Sequence, residues 1–151
     1  MEARNRIEFT SAFDYKVIYA FTVNDEKHNG LIKIGDATLH TDTPTDGLSP
    51  NCRELNQAAL TRIKQYTNTV GITPVLLYTE LAVKIIKNKK DGSVELKAFR
   101  DHEVHRVLEN SGIKKAKIND TTGREWYCIT KETAIEAIVA VKKNYANLSN
   151  S

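Results

Sequence analysis

Cysteine is all but missing from this chain of 151 residues: Cys52 and Cys128 are the only two, far apart and in no metal-ligand spacing. The shortage leaves a disulfide framework and a thiolate zinc site without support and predicts reduced thiols in a cytoplasmic protein. Long apolar runs are missing too. Met1 is followed by the charged stretch Glu2-Ala3-Arg4-Asn5-Arg6 with no apolar segment behind it, and no uncharged run reaches the length of a bilayer crossing. The expectation is a soluble chain that is not exported and has no membrane partner. There is also no Walker loop, no GxGxxG, no nucleophile elbow, no His/Cys zinc set, no repeat and no low-complexity segment. Nucleotide hydrolysis, dinucleotide binding and zinc chemistry therefore lack sequence support.

What is present suits one α+β domain. Hydrophobic residues make up 40% of the chain, enough to bury a core at this length. A net charge of +3 from 22 basic and 19 acidic residues is mixed along the chain, which permits nucleic acid as a partner without arguing for it. Val17-Ile18-Tyr19-Ala20-Phe21 and Leu31-Ile32-Lys33-Ile34-Gly35 are two runs of strand length separated by Asn24–Gly30, which predicts a hairpin with its charge in the turn. Tyr19 stands in mid-strand. Gly35 occupies a place where a side chain would block the close approach of a ligand or of another backbone.

Residues 1–15 read as a lead-in segment, 16–146 as a single domain, and 147–151 as a fraying tail. Pro44, Gly47 and Pro50 among Thr, Asp and Ser make 36–50 a long loop, of the kind that is often functional. Either Asn51 with Glu54 in capping-box spacing, or Ser49 before Pro50, then starts a helix carrying Leu55, Ala58, Ala59, Ile63 and Tyr66 until Gly71 and Pro74. Pro74–Val83 predicts a third, buried strand, and Asp91-Gly92 a turn before the alternating Val94, Leu96 and Ala98. Val104, Val107 and Leu108 predict a short helix over 100–110 that ends at Ser111-Gly112. Lys114–Ile118 and Glu125–Ile129 predict another pair of short strands, and Thr130 caps a last helix with Ala134, Ile135, Ile138, Val141 and Tyr145 on one stripe. The fold class expected is α+β, a small mostly antiparallel sheet flanked by helices.

Two helices carry candidate chemistry. Arg62 borders the apolar stripe of the first, where a guanidinium can reach a phosphate with two parallel hydrogen bonds. The plainer reading is a side chain whose stem covers the core and whose head is solvated. On the second, Asp101 and His105 lie four apart on one face, with Glu103 pointing roughly the other way. One carboxylate with waters and phosphate oxygens is an ordinary Mg²⁺ arrangement, while the plainer reading has Asp101 at the helix dipole and His105 on the surface. His28 and His40 read as isolated loop histidines, Trp126 and Tyr127 as core aromatics before a base-stacking platform, and Lys84, Lys87, Lys89 and Lys90 as a solvated turn before a nucleic-acid track.

These segments, in this order, resemble the GIY-YIG nuclease superfamily, in particular its T5orf172-like branch. Val17-Ile18-Tyr19 and Lys33-Ile34-Gly35 resemble the paired motif strands, and Thr61-Arg62-Ile63-Lys64-Gln65 the arginine-bearing helix. Asp101-His102-Glu103-Val104-His105 resembles the carboxylate-x-x-x-histidine segment, and Gly123-Arg124-Glu125-Trp126-Tyr127 the Gly-x-Glu-Trp-Phe strand. The resemblance covers roughly residues 16 to 130. It implies a DNA endonuclease dependent on Mg²⁺ or Mn²⁺ and belonging to a larger restriction or helicase-type protein. Tyr19, Lys33, Gly35, Arg62 and His105 would form the catalytic set, with Lys33 and Arg62 on the substrate and Asp101, or alternatively Glu103, on the metal. The chain departs from the family pattern at Lys33, where the second motif has tyrosine; at Asp36, where a basic residue is common and a carboxylate would oppose a phosphate; and at Asp101, where a glutamate is expected. A catalytically degenerate DNA- or protein-binding module on the same fold is the alternative.

Overall fold

Asp14–Val23 forms strand β1, and every residue from Val17 to Phe21 is buried because the strand has a neighbour on each side and helices on both faces. The computed structural model describes residues 14–26, 28–70, 73–87, 90–116 and 126–150. Beside β1 run β2 (Ile32–His40) and β3 (Pro74–Leu81), both antiparallel to it, and β6 (Trp126–Tyr127) pairs with the start of β2. The sheet order is β3-β1-β2-β6. Between them in sequence lie a 3-10 turn (Thr45–Gly47), α1 (Arg53–Val70), the hairpin β4 (Val83–Lys87) with β5 (Val94–Ala98), and α2 (Asp101–Asn110); α3 (Lys131–Asn150) follows β6. This is the expected α+β arrangement of a small antiparallel sheet flanked by helices.

Strand alternation divides the core into two layers. Tyr19 and Phe21 face Ala59 and Ile63 of α1, while Val17 joins Leu55 and Leu39 on the same side. Ile18, Ala20, Ile32 and Ile34 face the other way, onto Val104 and Leu108 of α2 and Ala134, Ile138 and Val141 of α3. The caps of α2 and α3 follow the sequence. Gly112 (φ 88°) closes α2, with its N–H donating to the Glu109 carbonyl and the Ile113 N–H to that of Leu108, and Thr130 Oγ1 accepts the Thr133 N–H at the start of α3.

Four boundaries differ from expectation. The loop after β2 begins at Thr41, because Asp14 and Tyr15 belong to β1 and hold β2 in register as far as His40. The stretch from Pro74 is two strands: Ala82 donates its N–H to the Lys16 carbonyl and accepts that of Phe99, which moves the chain from β1 onto β5. Neither expected cap starts α1. Asn51 (φ 64°) accepts the Thr79 N–H on its side chain, and the Glu54 carboxylate accepts the hydroxyls of Thr41 and Thr43. α3 is helical through Asn150 rather than ending before Asn147. The lead-in residues 1–13, Gly71, Asn88-Lys89 in the charged turn, and the motif residues 117–125 lie outside the described residues.

One polar cluster crosses the α3 layer. Glu80 on β3 accepts the Tyr78 hydroxyl at 2.5 Å and the Lys142 ammonium of α3 at 2.6 Å. Burial first, and then the hydrogen bond and charge of Glu80, push the Tyr78 phenol up from its ordinary value. Glu80→Ala leaves a buried hydroxyl and a cation without their acceptor. Because Lys142 stays 30% exposed, the expected loss is roughly 2 kcal/mol, below that of a fully buried pair, read from urea unfolding midpoints.

Candidate functional site

Tyr19 and Gly35 are direct cross-strand partners in β1 and β2, and their side of the sheet faces α1. A Cβ built on Gly35 would lie 2.5 Å from the Tyr19 hydroxyl oxygen and 2.6 Å from Cζ. The glycine is there because the phenol lies across it. Tyr19 is buried, stacks at a tilt on Phe21 with ring centroids 5.8 Å apart, and has its polar end over Gly35.

That end lines a pocket of about 270 Å³ with Lys33, Gly35, Arg62 and Asp101. Stretches up to about eighty residues apart in sequence thus supply one cavity: the hairpin floor, the exposed face of α1, and the first residue of α2. Arg62 reaches the pocket from the helix surface with its Nη1 donating to Gln65 Oε1 at 3.0 Å. The arginine is exposed on the helix and lines the pocket at the same time.

α2 is fastened to β2 at two points one helical turn apart. Asp36 accepts Nε of Arg100 at 3.0 Å, Nη2 of Arg100 at 3.3 Å and the backbone N–H of Asp101 at 3.0 Å. Four residues on, His105 donates from Nε2 to the Ile34 carbonyl at 2.8 Å. Burial on its own would raise the Asp36 carboxyl. The hydrogen bonds from Arg100 and Asp101, with the charges of Arg100 and Lys16, outweigh that and hold it below the usual aspartate value. Asp36 was expected to oppose a phosphate; instead its charge is matched by a guanidinium and by the N-terminus of a helix.

Two predicted residues do not reach the cavity. His105 is buried with its ring against Tyr127 at 5.6 Å and does not line the pocket, so neither the surface reading nor a place in the cleft describes it. Glu103 accepts the Arg100 N–H at 3.3 Å as a reciprocal cap in the first turn of α2, which turns it from the pocket. The sequence reading missed Lys16 and Arg100, which line the cavity, and His28, which is buried with Nδ1 2.7 Å from Asp25 and its ring 4.6 Å from that of Trp126. Arg100 carried no signal beyond its place before a helix; the Asp25-x-x-His28 spacing within a turn did.

Lys16, Lys33, Arg62 and Arg100 line the cavity against the carboxylates of Asp36 and Asp101, so cations prevail and the pocket suits an anion. Among the described residues no three His, Cys, Asp or Glu side chains cluster as a metal cage. Asp101 fits a different design, in which Mg²⁺ keeps its waters and takes one carboxylate together with substrate oxygens. Compared with protein-family models, curated proteins and solved structures, the chain finds no match in any of the three.

Two outcomes are expected from this geometry. Gly35→Ala forces the Tyr19 ring aside and costs about 1–3 kcal/mol, and the same change costs less in a Tyr19→Ala background; equal costs in a denaturant double-mutant cycle would contradict the packing. Asp36 has a depressed folded pKa, so its contribution is complete above the unfolded value of about 3.9 and is lost as the pH falls through the lower folded one. Asp36→Asn should therefore lower stability at pH 7 by about 1 kcal/mol, a figure discounted for the 59% exposure of Arg100, with the gap to wild type closing in thermal melts below about pH 4.

Proposed function

We propose that the chain is a divalent-metal-dependent DNA endonuclease module of the GIY-YIG kind, of its T5orf172-like branch, acting within a larger restriction or helicase-type protein. One observation carries the reading: Tyr19, Lys33, Gly35, Arg62 and Asp101, singled out in the sequence from separate segments, line the same cationic pocket. Among the described residues no helix is long and apolar enough to cross a membrane.

On this reading the scissile phosphate enters between Arg62 and Lys33, whose charges act on its non-bridging oxygens as negative charge builds in the transition state. Tyr19, fixed over Gly35, serves as base or orienter of the attacking water. Mg²⁺ or Mn²⁺ held by Asp101 would stabilise charge on the leaving oxygen. His105 positions α2, and through it Asp101, by its bond to Ile34. A DNA-binding module without hydrolysis is the second reading, favoured by Lys33 at the place of the second tyrosine.

Nicking of supercoiled plasmid in Mg²⁺ or Mn²⁺ tests the proposal. Arg62→Ala is expected to lower the rate about 10²–10³-fold and Tyr19→Phe about a hundredfold. Asp101→Ala should abolish metal-dependent nicking while Glu103→Ala retains it; the opposite result reassigns the metal ligand. Binding of DNA with a steep salt dependence but no nicking in any metal would replace the enzyme with the binding module.

A further inference from the structure

A second groove, about 530 Å³, opens from the phosphate pocket and shares Ala37, Thr38 and Arg62 with it. One wall is the outer edge of β2 from Thr38 to His40; the other is the face of α1 that carries Gln57, Thr61 and Gln65. These three recur every fourth residue, about 6 Å per step along the helix. Glu54 closes the far end, its carboxylate engaged by the hydroxyls of Thr41 and Thr43.

The chemistry changes abruptly along this groove. Arg62 is its only lysine or arginine among the described lining residues, and apart from the Glu54 carboxylate at the far end the helix wall is otherwise uncharged and carries the amides of Gln57 and Gln65. A track for a run of phosphates needs repeated cations, so the groove does not continue the backbone path. Among the described lining residues there is no aromatic side chain apart from the His40 imidazole, which offers no row of stacking rings. Glutamine amides are suited to hydrogen-bonding base edges, adenine above all. Gln57 is exposed, and its side-chain amide makes no hydrogen bond to the described residues, whereas Gln65 already holds Arg62.

We infer that the groove between α1 and the β2 edge is a nucleoside subsite: the phosphate lies at Arg62, and the sugar and base attached to it lie along Gln57 and Thr61. The inference rests on the phosphate-binding reading of the neighbouring pocket and goes beyond it, because it assigns a base-contacting element beside that pocket.

Amide NMR titrations of the intact chain separate the two. Inorganic phosphate and deoxyadenosine 3′,5′-bisphosphate are both expected to shift Gly35 and Arg62. Only the nucleotide should shift Thr61 and the Gln57 side-chain amide, and it should bind about tenfold more tightly than phosphate. Gln57→Leu, an exposed helical change checked by its thermal midpoint, should remove that advantage and leave phosphate binding unchanged. If both ligands shift Gly35 and Arg62 but the nucleotide moves nothing in the groove, or if Gln57→Leu keeps the advantage, the subsite is overturned while the phosphate pocket stands. If neither ligand shifts Gly35 or Arg62, the phosphate reading falls and the subsite with it.

Discussion

The three hydrogen bonds accepted by the Asp36 carboxylate join the halves of the candidate site. Gly35, Tyr19 and Lys33 belong to a hairpin, whereas Asp101 opens a helix more than sixty residues later; Asp36 receives the Arg100 guanidinium and the Asp101 N–H at that junction. A partly buried carboxylate with three donors is a charge-assisted anchor rather than a loose surface pair. The His105–Ile34 bond adds a second point, and two points fix the direction of a helix where one would leave it free to pivot. The position of Asp101 relative to the hairpin therefore depends on an aspartate one residue past the second strand motif.

A second constraint is steric. Tyr19 and Gly35 face each other across the strand pair, and the glycine exists to let the phenol lie flat across it. The sequence displayed both residues and the need for a close approach, but not what approaches. A ligand, another backbone and a neighbouring side chain all require the same missing Cβ, and only register tells them apart.

Elements with strong periodicity were legible: the hairpin, the α1 stripe, α2 with its glycine cap, and α3 from Thr130. Legibility failed where a side chain had a distant alternative. Asn51 and Glu54 have capping-box spacing, yet Asn51 bonds to Thr79 and Glu54 to Thr41 and Thr43, because long-range partners compete with the helix terminus for the same acceptors. His105 was read from its own helix alone, as a partner of Asp101 or as a surface side chain; the Ile34 carbonyl that it meets comes from another element altogether. Asp36 failed for the same reason, since a carboxylate next to a phosphate motif opposes an anion only until its counter-ion is known.

That counter-ion changes the electrostatics of the pocket. With Arg100 matched to Asp36, Lys16, Lys33 and Arg62 stand opposite Asp101, and Lys16 is also tethered to Thr38 Oγ1 at 2.9 Å. An anion drawn in by these cations meets the Asp101 carboxylate in the same small space. Two like charges about 4 Å apart repel by about 4 kcal/mol at an effective dielectric of about 20, comparable to what one lysine returns. On the proposed reading, a divalent cation held by Asp101 would supply the opposite charge and offset that repulsion. Asp101 stands in the first turn of α2, where a carboxylate also favours the helix dipole; on the proposed reading it would in addition hold the metal beside the phosphodiester. The acidic residue at the start of α2 would thus serve both the helix and the reaction.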